Sequence, residues 1–111
     1  MEIGIDIEEV GRFSKLPYKN NQTFYKNIFT LAEINYCLSK ADSYKHFAVR
    51  FAGKEAILKC LQSTIYRALD IEIINNKDGA PSVKVKNKKG KFLISLSHTK
   101  DQAIAIALWS N

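Results

Sequence analysis

The sequence predicts an α+β fold, built from an N-terminal strand, several helices of which one is long and central, and then antiparallel strands and hairpins. Three observations carry this. Ile3, Ile5 and Ile7 alternate with Gly4, Asp6 and Glu8 at the start, the middle of the chain runs at helical period, and from Leu69 short alternating segments are separated by turn-forming residues. Helices and strands are segregated along the chain, unlike a βαβ alternation.

Successive side chains of a strand face opposite ways, so Ile3, Ile5 and Ile7 make one apolar face and Asp6 points away from them, beside a glycine with no side chain. A polar stretch follows. Phe24, Ile28 and Phe29 then predict a short helix that leaves Lys19 and Lys26 in water. Thr30-Leu31-Ala32-Glu33 has the form of a capping box and starts a helix through about Leu38. Asp42 or Ser43 can cap the longest helix, which runs to about Leu61 with an apolar stripe from Phe47, Ala48, Phe51, Ala52 and Leu58. Glu55 falls in line with that stripe.

Leu69 to Ile74 reads as a strand, ended by a turn at Asn75-Asn76-Lys77-Asp78-Gly79. Val83 and Val85 alternate with Lys84 and Lys86, and a second turn at Asn87-Lys88-Lys89-Gly90 makes a hairpin with one basic, wet side. Phe92 to Ser97 forms the next strand, and His98-Thr99-Lys100-Asp101 turns it into the last. There Ala103, Ala105 and Ala107 alternate with Ile104, Ile106 and Leu108. So small a face must pack closely, either on another subunit or on the long helix.

With 111 residues and 46% hydrophobic content, residues 1–111 make one domain with a real core. No apolar run approaches the roughly 20 residues of a bilayer span. Met1-Glu2-Ile3 leads straight into structure rather than a signal peptide, so a cytoplasmic location without membrane contact is expected. Cys37 and Cys60 have no CxxC or Cys/His cluster near them and read as free, packed thiols. A net charge of +6 predicts an anionic partner, whether nucleic acid, acidic protein or phosphorylated small molecule.

Glu55 and Lys59 stand at i and i+4, the spacing of an ordinary exposed ion pair worth about 0.2–0.5 kcal/mol. The same spacing aims both groups at one point, where Glu55 could ligate a hard Mg²⁺ ion and Lys59 a phosphate. A second carboxylate is then required, and Asp6 can supply it. His98 is a turn residue or a phosphate donor. The lysines from Lys84 to Lys91 read as a solvated face, and Phe24, Phe29, Phe47 and Phe51 as core rather than a stacking platform. There is no Walker loop, GxGxxG or nucleophile elbow.

Taken together, Gly4-Ile5-Asp6-Ile7, Arg50-Phe51-Ala52-Gly53-Lys54-Glu55-Ala56 with Lys59, and Ser95-Leu96-Ser97-His98-Thr99 resemble the three motifs of the holo-[acyl-carrier-protein] synthase type of 4′-phosphopantetheinyl transferase. The order and spacing match across essentially the whole chain. The resemblance implies the 4′-phosphopantetheinyl transferase fold and transfer of the phosphopantetheine arm from coenzyme A to a serine hydroxyl of an apo acyl carrier protein. 3′,5′-ADP is released, and the reaction supports fatty acid biosynthesis. It implies that Asp6 and Glu55 hold Mg²⁺ and that Lys59 contacts the phosphates. Glu55 or a metal-bound water accepts the serine proton. His98 and Thr99 contact coenzyme A, with Arg50, Lys45 and Pro81 along the nucleotide. Arg12, Lys15, Lys19, Phe24 and Lys26 match the surface that docks the acidic carrier, and family members of this size form trimers with active sites between subunits.

The sequence departs from the family pattern at Gly53, where alanine is usual, at Leu58, at Gln62-Ser63-Thr64 in place of a glycine-rich turn, and at Asp42, near where basic residues face the nucleotide. Two rival readings follow from the residues: a non-catalytic relative that binds coenzyme A poorly, and a small basic nucleic-acid-binding domain suggested by charge and the lysine hairpin.

Overall fold

The computed structural model describes all residues, Met1–Asn111. The chain runs β1 (Glu2–Glu9), α1 (Gly11–Ser14), α2 (Gln22–Lys26), α3 (Leu31–Leu38), α4 (Ser43–Leu61), β2 (Ile71–Asn75), β3 (Pro81–Val85), β4 (Lys91–His98) and β5 (Gln102–Ser110). The α+β class and the order of elements are borne out. β5 is the centre of a three-stranded antiparallel sheet, flanked by β1 and β4, and β2 pairs with β3 in a separate hairpin.

The capping box at Thr30 is formed as its residues predict. Glu33 N–H donates to Thr30 Oγ1 at 3.3 Å, and Thr30 N–H donates to Glu33 Oε1 at 2.8 Å. Asp42 makes no side-chain cap on α4. Its carboxylate turns instead to His46, 3.2 Å away, while Ser43 Oγ donates to the Lys40 carbonyl.

The apolar stripe expected on α4 understates the helix. It is enclosed on almost its whole circumference, and of residues 43–61 Lys59 alone is exposed. One side meets β1 and β5, another meets β2 and β4. Ala103, Ala105 and Ala107 are fully or almost fully buried; Ala105 and Ala107 pack with Ala52, Ala56 and Cys60 of α4 and Ala103 joins the cluster of Ala48 and Phe51 on the same helix, so the alanine face belongs to the intramolecular core. Gly53 has the same role on the opposite side: a Cβ there would come within 2.5 Å of Ile73 Cδ1. Close packing on β2 offsets the weaker helix propensity of glycine.

β1 is the larger surprise. The face that packs on α4 carries Gly4, Asp6 and Glu8, whereas Ile3, Ile5 and Ile7 are 61%, 54% and 57% exposed. The polar face of the strand is thus the covered one. Gly4 explains why: a Cβ at that position would lie 2.0 Å from the Ala56 carbonyl oxygen, so only the glycine face can approach the helix this closely. The isoleucines join Ile104, Ile106 and Leu93 on one outward apolar face of the sheet.

A buried ion pair ties the helices to the hairpin. Lys54 Nζ lies 2.6 Å from Glu33 Oε1 and donates to the carbonyls of Ile28, Ala68 and Ile71, while Glu33 Oε2 accepts from Ile73 N–H at 2.9 Å. Both groups have their partners, as burial of charge requires.

Candidate active site

Asp6 and Glu55 meet because β1 lies against α4 on its glycine face. Asp6 Oδ1 accepts from Lys59 Nζ at 3.3 Å, and the same ammonium donates to the Ile5 carbonyl at 2.7 Å. The simple helix-surface pair between Glu55 and Lys59 is therefore absent; Lys59 reaches across to the strand. Asp6 Oδ2 is buried and has no hydrogen-bond partner. A buried carboxylate oxygen left unpaired is costly unless something positive meets it.

Two more carboxylates crowd this point. Glu55 has its pKa raised, first by burial and then by the charge of Asp6, with Lys59 and Arg12 opposing. Glu8, two residues along the same strand face, is pushed up to about 7 by burial and by its contact with Asp6; Arg12, whose NH1 lies 3.2 Å from Glu8 Oε1, opposes that rise. Glu8 is the residue that sequence reasoning missed here. Its signal was present, since it alternates in phase with Gly4 and Asp6. No three acidic, histidine or cysteine side chains are grouped tightly enough to enclose a metal ion unaided. That donor set, few carboxylates and otherwise open, suits Mg²⁺, which retains water and takes phosphate oxygens.

A groove of about 280 Å³ lies on the other side of α4, lined by Tyr36, His46, Arg50, Asn75, Pro81 and His98 among others. Arg50 dominates it. Its guanidinium is buried, stacks on Tyr36 at 4.1 Å and donates to Asn75 Oδ1, but faces no carboxylate within ion-pair distance, and its Nε has no partner. A buried cation without a counter-ion is a ready anion site. His46, Tyr36 and Asn75 carry no sequence signal for this groove, because α3, α4 and β2 contribute them from distant stretches.

The remaining predicted residues are distributed around these two centres. His98, at the end of β4, lines both the Arg50 groove and an adjoining hollow of about 160 Å³ that includes Ile7, Thr99 and Gln102. Thr99 stands in that second hollow, its Oγ1 accepting from Gln102 N–H at 3.1 Å. Lys45 is not brought to the Arg50 groove; it lines a different hollow with Val10 and Tyr44. Arg12, Lys15, Lys19 and Lys26 share the surface around α1 and α2, with Arg12 held over the Phe51 ring at 4.8 Å and Phe24 packed against Phe13. Beyond α4, Gln62 takes a left-handed φ of 49° and its Nε2 donates to Glu2 Oε2 at 2.7 Å, which anchors the turn without glycine.

Residues 2–108 match the family described as the 4′-phosphopantetheinyl transferase superfamily. The chain is 40% identical to the holo-[acyl-carrier-protein] synthase of Thermodesulfovibrio yellowstonii, across 96% of this chain and 95% of the relative. It is likewise 40% identical to that of Chlorobaculum tepidum, across 98% and 97%. Among solved structures, the Helicobacter pylori holo-[acyl-carrier-protein] synthase in complex with coenzyme A superposes with a TM-score of 0.86 at 30% identity, covering 97% of this chain and 99% of that one. The Bacillus anthracis holo-(acyl-carrier-protein) synthase, in complex with CoA (3′,5′-ADP), superposes with a TM-score of 0.84 at 31% identity, covering 99% and 96%.

Proposed function

The chain belongs to the 4′-phosphopantetheinyl transferase superfamily, and we propose that its acid cluster and its Arg50 groove divide the work of a holo-[acyl-carrier-protein] synthase between them. The enzyme moves the 4′-phosphopantetheine group of coenzyme A onto a serine hydroxyl of an apo acyl carrier protein, releases 3′,5′-ADP and supports fatty acid biosynthesis. The bond formed joins the serine oxygen to the β-phosphorus; the bond broken is that phosphorus to the bridging oxygen, which leaves with the nucleotide.

The observation that carries this reading is the buried, unpartnered Asp6 Oδ2 among Glu8 and Glu55. Asp6 and Glu55 would hold Mg²⁺, with Glu8 beside them. When bound, the ion would neutralise negative charge on the pyrophosphate oxygens. Lys59, the exposed cation next to Asp6, meets the same phosphates. The serine proton passes to Glu55 or to a water beside it; burial and Asp6 raise the proton affinity of Glu55, and a bound ion would oppose that rise. Arg50 neutralises a nucleotide phosphate, with His98 at the junction of the two hollows and Pro81 on the groove wall. Thr99 contacts the ligand from the second hollow, and Lys45 from outside the groove.

The acidic carrier docks on Arg12, Lys15, Lys19, Phe24 and Lys26, and charge attraction there sets encounter rate and orientation. We assign the outward face of Ile3, Ile5, Ile7, Leu93, Ile104 and Ile106 to subunit contact in a homotrimer, since an apolar patch of this kind calls for a cover. Ile7 and Ile104 also line the His98 hollow, so a subunit seated on that face borders the active site. The domain spans residues 1–111 and works in the cytoplasm; no helix is long and apolar enough to cross a membrane.

The test mixes the protein with coenzyme A, Mg²⁺ and an apo acyl carrier protein and reads the carrier's mass. A phosphopantetheine adduct is expected, and Asp6→Asn or Glu55→Gln should abolish it with folding intact. Absence of an adduct on every carrier tried would sink the assignment.

A further inference from the structure

His46 is left over when the acid cluster and the family motifs have been accounted for. It stands one turn before Arg50 on α4 and lines the same groove. Its imidazole meets Tyr36 edge to face at 5.8 Å, and Nε2 lies 3.2 Å from Asp42 Oδ1. The charged and titratable groups facing it are Asp42 and Arg50 on its own helix and its cap, Lys40 and Tyr36 from α3 and the following turn, and His98 from β4. Burial holds its pKa below the ordinary histidine range; Asp42 works against that, while Arg50, Lys40 and His98 add to it. In the free protein the ring is therefore mostly neutral at pH 7.

Asp42 stands beside His46 as a charge partner, its Oδ1 3.2 Å from Nε2. A neutral imidazole keeps a lone pair on one of its two nitrogens, which offers an anion nothing. The imidazolium presents only N–H groups and a positive charge, and both favour a phosphate. Asp42 lines a neighbouring hollow rather than the groove itself, and its charge supports that imidazolium.

We propose that His46, backed by the charge of Asp42, is a phosphate-recognition residue of the Arg50 groove, in which coenzyme A binding draws one proton from solvent onto His46 and the imidazolium donates to a ligand phosphate oxygen. The proton returns to solvent when the nucleotide leaves. This rests on the coenzyme A reading of the groove. His46 is a binding and positioning residue here, not a participant in phosphoryl transfer.

Calorimetric titration of coenzyme A into the full chain, in buffers of different ionisation heat between pH 6 and pH 8, tests it. Proton uptake is compared between wild type and His46→Gln, because a phosphate monoester itself titrates near pH 6. Wild type should take up more protons than His46→Gln and lose affinity as pH rises. The variant should bind about tenfold more weakly at pH 6, the loss of one charge-assisted hydrogen bond, and approach wild type at pH 8. Asp42→Asn should move the uptake to lower pH, an effect that a purely structural pair would not produce. Equal uptake and equal pH slopes in wild type and His46→Gln would overturn the role of His46 alone. Failure of wild type to bind coenzyme A at any pH would overturn the groove assignment as well.

Discussion

Gly4→Ala tests whether the active site depends on how closely β1 approaches α4. An added Cβ would lie 2.0 Å from the Ala56 carbonyl oxygen, and 3.0 Å from both Ala56 C and Cys60 N, where ordinary contact begins at 3.4 Å. The shortfall against the carbonyl is 3.4 − 2.0 = 1.4 Å. All three obstacles are backbone atoms of an enclosed helix, so the strand must yield. Overpacking costs typically 1–3 kcal/mol, and a rigid backbone obstacle puts this case at the upper end, about 3 kcal/mol. A retreat of about 1 Å also stretches the 2.7 Å Lys59–Ile5 bond and moves Asp6 away from Glu55. Misplacement on that scale can lower a rate by about 10²-fold. Urea unfolding measures the first effect and carrier modification followed by mass measures the second. Gly11→Ala is the control, since its Cβ would meet only Lys15 Cε, at 4.0 Å. If Gly4→Ala stays within about 0.5 kcal/mol of wild type and modifies carrier at the wild-type rate, the close-approach argument is wrong.

Glu33→Ala leaves the Lys54 ammonium buried without its carboxylate and should cost about 3–5 kcal/mol in urea unfolding; a loss under 1 kcal/mol would mean water or a new partner replaces it. In metal-free protein, Glu8 is raised from 4.5 to about 7, so the folded chain holds a proton that the unfolded chain has lost. Its contribution is present below pH 4.5 and disappears as pH rises through about 7. Because Glu8 is partly exposed, screening limits the effect to about 1 kcal/mol. Urea midpoints across that range should fall for wild type and stay flatter for Glu8→Gln. Arg12→Glu should slow carrier modification several-fold at low salt, with the gap closing as salt screens the surface; a defect equal at all salt concentrations would place Arg12 in another role.

Local pattern determined the elements of this chain. The alternation of Ile3, Ile5 and Ile7, the Thr30–Glu33 capping box, the long run to Leu61 and the later strands each follow a local period or a fixed short spacing, which is legible residue by residue even though β1 pairs with a strand at the other end of the chain. Asp6, Glu55, Lys59, Arg50 and His98 were legible as candidates for the same reason, as residue types at motif spacing. Periodicity separates the two faces of a strand but does not say which one is covered. Only the tertiary structure decided that the Gly4–Asp6–Glu8 face packs on α4 and that the isoleucines face outward, because that choice depends on a backbone approach between residues 4 and 56. The same holds for Lys59 pairing with Asp6 instead of Glu55, for Glu8 joining the acid cluster, for Glu33 and Lys54 closing a buried pair, and for His46 entering the Arg50 groove. Each joins residues that the chain keeps apart or sets a side chain's direction by a partner beyond its own element, and local spacing carries no record of either.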